Sequence, residues 1–167
     1  MSPTIIRAVI VEDEPLAAQY LRALLHETGK VDVTGMAREG TTGLLMCSEQ
    51  SPDAAFLDVR MPCPDGLALA GHLRQLPIPP LIVFTTGHAE RACEAFRLDA
   101  VDYLLKPLDP AQVFEAVHRL QCRLAERDQQ AVVERETRVP PRADRLPVKN
   151  SRDDVVRLIP RWESLRP

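Results

Sequence analysis

Four short apolar runs in this sequence each end in residues that can do chemistry. Glu12-Asp13-Glu14 follow IIRAVIV at 5–11, and Asp58 follows AAFL at 54–57. Thr85-Thr86 follow LIVF at 81–84, and Lys106-Pro107 follow VDYLL at 101–105. Taken singly, each has an ordinary explanation: an acid or threonine behind a strand caps the next helix, a lone aspartate makes a turn, and a lone lysine is solvated. Taken together, they place carboxylates, a hydroxyl and an ammonium at the same end of four different strands. Clustered carboxylates repel each other unless a hard cation joins them, and Mg²⁺ takes oxygen ligands while keeping several waters. Asp58 beside such an ion is an ionised nucleophile able to attack phosphorus. Mg²⁺ and the Lys106 ammonium neutralise charge on a transferring phosphoryl group, and the Thr86 hydroxyl can donate to one of its oxygens.

The elements that must position these groups are readable from periodicity. The β-branched run 5–11 has the character of a strand buried on both faces. Pro15 suits the first turn of a helix, with Ala17, Leu21, Leu24 and Leu25 on one face and Gly29 as its stop. Strands are predicted at 31–36, 54–57, 81–84 and 101–105. Helices are predicted at 39–51 (weakened by Gly40 and Gly43), 65–76, 88–97 and 109–127. Ala92, Ala95 and Phe96 fall on one side of helix 88–97, and Val113, Val117, Leu120 and Leu124 repeat along the last helix. Five strands alternating with five helices predict a doubly wound α/β fold with a parallel sheet and right-handed crossovers. In such sheets, sites form beyond the carboxyl ends of the strands, where strand order reverses.

Composition bounds the rest. The chain has 167 residues, 45% hydrophobic and 27% charged, as in a soluble globular protein. No apolar run approaches the roughly 20 residues of a membrane helix. The N-terminus lacks a basic region followed by a long apolar segment, so no signal peptide is expected. Cys47, Cys63, Cys93 and Cys122 are dispersed, which suits reduced thiols in a cytoplasm rather than a disulfide framework or a zinc finger. Residues 1–122 hold 10 Lys/Arg against 16 Asp/Glu, a net of −6, and residues 123–167 hold 11 against 8, a net of +3. The basic tail is compatible with nucleic acid, and equally with a solvated segment. The expected organisation is a domain at 1–127, a linker at 128–147 with Pro140, Pro141 and Pro147, and a tail at 148–167. Strand-like pieces stand near 146–149 and 155–159.

The motifs IVED (10–13), FLDVRMPCPDG (56–66), FTTGHAERA (84–92) and DYLLKP (102–107) resemble those of two-component response-regulator receiver domains over about residues 5–127. The resemblance implies a flavodoxin-like (βα)5 sheet in the order 2-1-3-4-5. It also implies a switch, rather than a turnover enzyme, that takes a phosphoryl group from a histidine kinase in the presence of Mg²⁺. By it, Asp58 is the phosphoacceptor, Asp13 a direct metal ligand, Glu12 its indirect acidic neighbour, and the carbonyl of Arg60 a further ligand. Thr86 is the switch hydroxyl, Lys106 the phosphoryl-binding lysine, and Tyr103 the aromatic that turns inward when Thr86 moves. The Lys106–Pro107 bond is expected to be cis. Gly87 and Cys63-Pro64 depart from the family's usual residues without removing a catalytic group.

The spelling FTTGHAERACEAFRLDAVDYLLKP most resembles receivers joined to a LytTR-type DNA-binding domain, and LPVKNSRDDVVRLI (146–159) resembles the opening strands of that domain. A complete output domain needs about 100 residues, so either the output domain is truncated or the tail is something else. DNA binding is expected only where that domain is complete, and no membrane partner is expected. Three other classes fit the residues less well. A haloacid-dehalogenase-like phosphatase needs an acid two residues after its nucleophile, where this chain has Arg60. A transcription factor needs the missing output domain, and a pseudo-receiver would not retain the whole set of site residues. A homodimer is expected through helix 88–97, strand 101–105 and helix 109–127. Phe96, Leu98, Val101 and the Arg91/Arg97 against Glu94/Asp99 charges would form that contact. The alternative is that these apolar residues are only core.

Overall fold

The structure is a computed structural model, and it describes residues 4–62 and 64–138 together with the backbones of 145–148 and 157–160. Five parallel strands form one sheet: β1 (Ile6–Val11), β2 (Val31–Ala37), β3 (Ala54–Asp58), β4 (Leu81–Thr86) and β5 (Asp102–Leu105). Their order is β2-β1-β3-β4-β5, so the order reverses between β1 and β3, the place where a doubly wound sheet opens a crevice. The helices are α1 (Pro15–Glu27), α2 (Gly40–Gln50), α3 (Gly66–Leu73), α4 (Ala92–Arg97) and α5 (Pro110–Arg138).

The central strands β1, β3 and β4 are buried on both faces of the sheet, which is why they read as nearly continuous apolar runs. One side holds Ile6, Ala8, Ile10, Phe56 and Val83 with Leu21, Leu24 and Leu25 of α1 and Val113, Val117 and Leu120 of α5. The other holds Val9, Val11, Leu57, Ile82 and Phe84 with Cys47 of α2 and Leu69 and Leu73 of α3. Gly43 is a packing residue rather than only a weak point in its helix. A Cβ there would stand 2.6 Å from Val11 Cγ2, so its absence lets α2 approach β1.

Several boundaries differ from the periodicity. Strands β3 and β4 run on through Asp58 and Thr86, so the reactive residues are the last residues of strands rather than the first of loops. The expected helix 88–97 is a 3₁₀ turn at 89–91 followed by a six-residue α4. On α4, Ala95 is buried but Phe96 is 74% exposed, so the two do not share a core-facing side. Helix α5 continues to Arg138, eleven residues into the expected linker. Residues 128–138 contain no proline or glycine and are mostly good helix formers, so polarity there marks an exposed helix rather than a loop.

The chain divides into two compact units, 1–124 and 125–167. In the second, β6 (Arg145–Val148) and β7 (Arg157–Pro160) pair antiparallel, with Leu146 opposite Ile159. Most of the expected tail lies outside the described residues, as does Cys63.

Candidate functional site

Strand register brings the reactive residues to one rim. Val11 pairs with Leu57, and Asp58 pairs with Thr85. Thr86 in turn pairs with Leu105, and the Lys106 N–H donates to the Thr86 carbonyl at 2.8 Å. Glu12, Asp58, Thr86 and Lys106 therefore follow from the ends of adjacent strands. The first two are 3% and 6% exposed.

One carboxylate oxygen from each of Glu12, Asp13 and Asp58 can be chosen so that all three lie within 4.8 Å of one another. Lys106 Nζ donates to Glu12 Oε2 at 2.7 Å and to Asp58 Oδ2 at 3.4 Å. Three carboxylates facing one ammonium leave up to two negative charges uncompensated, a donor set of hard oxygens suited to a divalent hard cation. Burial pushes the Glu12 carboxyl up to about 7, the Lys106 hydrogen bond pulls it down, and the nearby Asp58 charge pushes it up further. Burial alone would lower the Lys106 ammonium, but Glu12 and Asp58 outweigh it, and its pKa is raised.

The surroundings hold Asp58 in place. Its Oδ1 accepts from the Arg60 N–H at 3.2 Å, while the Arg60 side chain is exposed. Gly66 lies against the strand end: a Cβ there would stand 2.1 Å from the Asp58 carbonyl oxygen. Asp65 caps α3, with Oδ1 accepting from the Ala68 N–H at 2.8 Å, and Arg91 reaches its Oδ2 at 3.4 Å. An open cavity of about 450 Å³ borders Asp13, Arg60, Met61, Asp65 and Arg91.

Thr86 is 1% exposed, and its Oγ accepts from the His88 N–H at 3.2 Å. Tyr103 is half-buried, its ring 6.3 Å from that of Phe84, and its phenol donates to the His88 carbonyl. Burial raises the Tyr103 phenol pKa, and a hydrogen bond with Thr86 opposes this. The Lys106–Pro107 bond is cis. Thus Glu12, Asp13, Asp58 and Lys106 form one cluster, while Thr86 and Tyr103 meet around the backbone of His88. Two features went unread in the sequence. The Lys106–Glu12 pair spans 94 positions, and no local pattern reports it. His88 acts through its backbone, which its residue type does not announce.

The face expected to carry a dimer is partly core. Phe96 and Arg97 are exposed, but Leu98 and Val101 pack against the buried clusters. Three of its four charges are also engaged within the chain: Arg91 with Asp65 and Glu94, and Asp99 with Arg123 at 3.1 Å.

Comparison with known proteins agrees with this geometry. The family model for the response regulator receiver domain matches residues 8–118. An uncharacterized response regulatory protein of Vibrio vulnificus is 42% identical over 113 residues, 68% of this chain and 46% of its own length. The sensory transduction protein LytR of Staphylococcus saprophyticus is 35% identical over 120 residues, 72% of this chain and 47% of its own. The crystal structure of the response regulatory domain of protein mrkE from Klebsiella pneumoniae superposes with a TM-score of 0.68 at 35% identity, covering 72% of this chain and 99% of that one. The chain spans about half the length of the curated relatives it matches. No described helix is long and apolar enough to cross a membrane. With its strand order, its acidic rim and its lysine behind β5, the chain belongs to the response regulator receiver domains of two-component systems.

Proposed function

We propose that Asp58 accepts a phosphoryl group from a histidine kinase in the cytoplasm, and that the chain works as a switch in a phosphorelay. The observation that carries this reading is Asp58 at the carboxyl end of a fully buried strand, with Lys106 Nζ 3.4 Å away and two further carboxylates beside it. An Asp58 carboxylate oxygen forms the O–P bond as the P–N bond of the donor phosphohistidine breaks, and the electron pair leaves with the imidazole nitrogen. Asp13, Asp58 and the Arg60 carbonyl would hold Mg²⁺, with Glu12 adjoining. When bound, the ion supplies positive charge to the phosphoryl oxygens. Lys106 is held in place by Glu12 before any phosphoryl group arrives, ready to pair with it.

Thr86 then moves its hydroxyl toward the phosphoryl group, giving up the His88 N–H, and Tyr103 follows inward. The readout surface is 88–97, 101–105 and 109–127. There Phe96, Val101, Tyr103, Leu105 and Arg119 line a cavity of about 290 Å³ that supports an activation-dependent homodimer. The resemblance to LytR supports placement in the LytTR-type subfamily. On this reading residues 128–147 connect the receiver to a tail at 148–167 that resembles the opening strands of a LytTR-type DNA-binding domain, and regulation of transcription follows where that domain is complete.

The test is intact mass after incubation with acetyl phosphate and Mg²⁺. One phosphoryl mass should appear on the wild type and none on Asp58→Asn. Equal labelling of the variant removes Asp58 as the acceptor.

A further inference from the structure

Helix α5 carries two side chains that the phosphoacceptor chemistry does not use. His118 and Cys122 stand four positions apart, neighbours on one helical face, and both are exposed. Cys122 Sγ lies 3.8 Å from His118 Nε2. A tetrahedral ion about 2.3 Å from sulfur and about 2.0 Å from nitrogen sets two such ligand atoms about 3.5 Å apart. The pair therefore already has nearly the bite of a chelate, and a small rotation of two solvent-facing side chains closes the difference.

The ligand types differ from those at the rim. Thiolate and imidazole suit zinc-class ions, whereas the all-oxygen set of Glu12, Asp13 and Asp58 suits Mg²⁺. The nearby cations are already engaged. Arg119 pairs with Asp102 at 2.6 Å and with Glu115 at 3.9 Å, and Arg123 pairs with Asp99 at 3.1 Å. Those acidic partners offset the positive charge that would oppose an incoming cation.

We propose that His118 and Cys122 form a two-ligand site for a zinc-class metal ion on the exposed face of α5. On binding, the thiol proton passes to solvent, and the thiolate sulfur and imidazole Nε2 each give an electron pair to the ion. Among the described residues no third thiol, imidazole or carboxylate joins the pair within 4.8 Å, so water completes the coordination. The clamp spans one helical turn, so the ion favours the folded helix over the unfolded chain.

The probe is Co²⁺, added to the reduced full chain with Cys63 and Cys93 replaced by serine and excess Mg²⁺ present. Oxygen ligands give no thiolate-to-cobalt charge-transfer band, so the acidic rim is silent in this measurement. A saturable near-ultraviolet band should appear and be bleached by Zn²⁺. Cys122→Ser should abolish it, and His118→Ala should weaken the apparent affinity by about tenfold or more, because a second tethered ligand acts at high effective concentration. Both side chains are exposed, so neither change empties the core, and circular dichroism checks retention of the helix. Three results would each overturn the site: no band with the thiols verified as free, a band that survives Cys122→Ser, or a His118→Ala titration that superposes on the parent.

Discussion

The end of β3 and the end of β5 lie one strand apart and are built differently. Every residue of β3 is buried, from Ala54 to Asp58. Strand β5 has four residues, of which only Leu104 is buried, and the helix before it is six residues long with Phe96 in solvent. A buried strand presents its last residue at a fixed place, as in-line attack on phosphorus demands. A short, half-buried strand beside a short helix leaves room for two packings, as a readout surface demands. On the proposed function deep packing would serve the reaction and shallow packing the response, and the two can be separated by experiment.

The largest effect is expected where backbone approaches backbone. Gly66→Ala would place a Cβ 2.1 Å from the Asp58 carbonyl oxygen and 2.9 Å from Val59 Cα. Neither neighbour is a flexible side chain, so the α3 start or the β3 end must move. A loss of about 3 kcal/mol in urea unfolding, with loss of acetyl phosphate labelling, is expected. Leu57→Ala comes next. Leu57 is 0% exposed, and removing its buried methyls should also cost about 3 kcal/mol. If either variant unfolds at the wild-type midpoint, the β3 end is not a rigid platform.

Glu12 gives a smaller, pH-dependent effect. Its carboxyl is raised from 4.5 to about 7, with burial the largest cause. The folded state therefore holds a proton that the unfolded state has released across that window. The stability this proton contributes is full below 4.5 and is lost as pH rises through about 7. In metal-free buffer, wild type should lose stability relative to Glu12→Gln over this range. Mg²⁺ affinity should fall below about pH 7, because a protonated Glu12 lowers the negative charge of the rim. Parallel melting profiles for the two proteins across the window would remove burial as the cause.

Legibility in the sequence follows the same division. The β3 region was readable because a strand buried on both faces is a run of apolar residues, and what ends the run stands at the rim. Asp58 needed no tertiary knowledge to be noticed. The β5 side was harder to read. Phe96 shares a helical period with Ala92 and Ala95, yet a helix as short as α4 does not bury a whole face, and Phe96 stays in solvent. The polarity after Arg127 suggests a linker, yet helix-forming residues carry α5 to Arg138. The Lys106–Glu12 pair depends on β1 and β5 lying on either side of β3, which is a property of topology and not of any window of sequence.

The smallest effect on stability is expected at Phe96, and there the comparison becomes sharpest. Phe96 is 74% exposed, so Phe96→Ala should change the unfolding free energy by less than about 0.5 kcal/mol. Phe96 stands with Val101, Tyr103 and Leu105 around one cavity, and an apolar group of that kind is available to a partner. With beryllofluoride and Mg²⁺ the wild type should sediment as a dimer at high micromolar concentration, and Phe96→Ala should remain mostly monomeric. Tyr103→Ala and Arg97→Glu should weaken the same association, since Tyr103 lines the adjoining cavity and Arg97 is exposed on the same short helix. Leu98 and Val101 are poor probes, because their packing against the core would mix stability with association. If wild type stays monomeric when activated, this surface is not a homodimer contact in the 167-residue chain. If it dimerises and all three variants dimerise equally, the contact lies elsewhere, and Phe96 has no role that its exposure would explain.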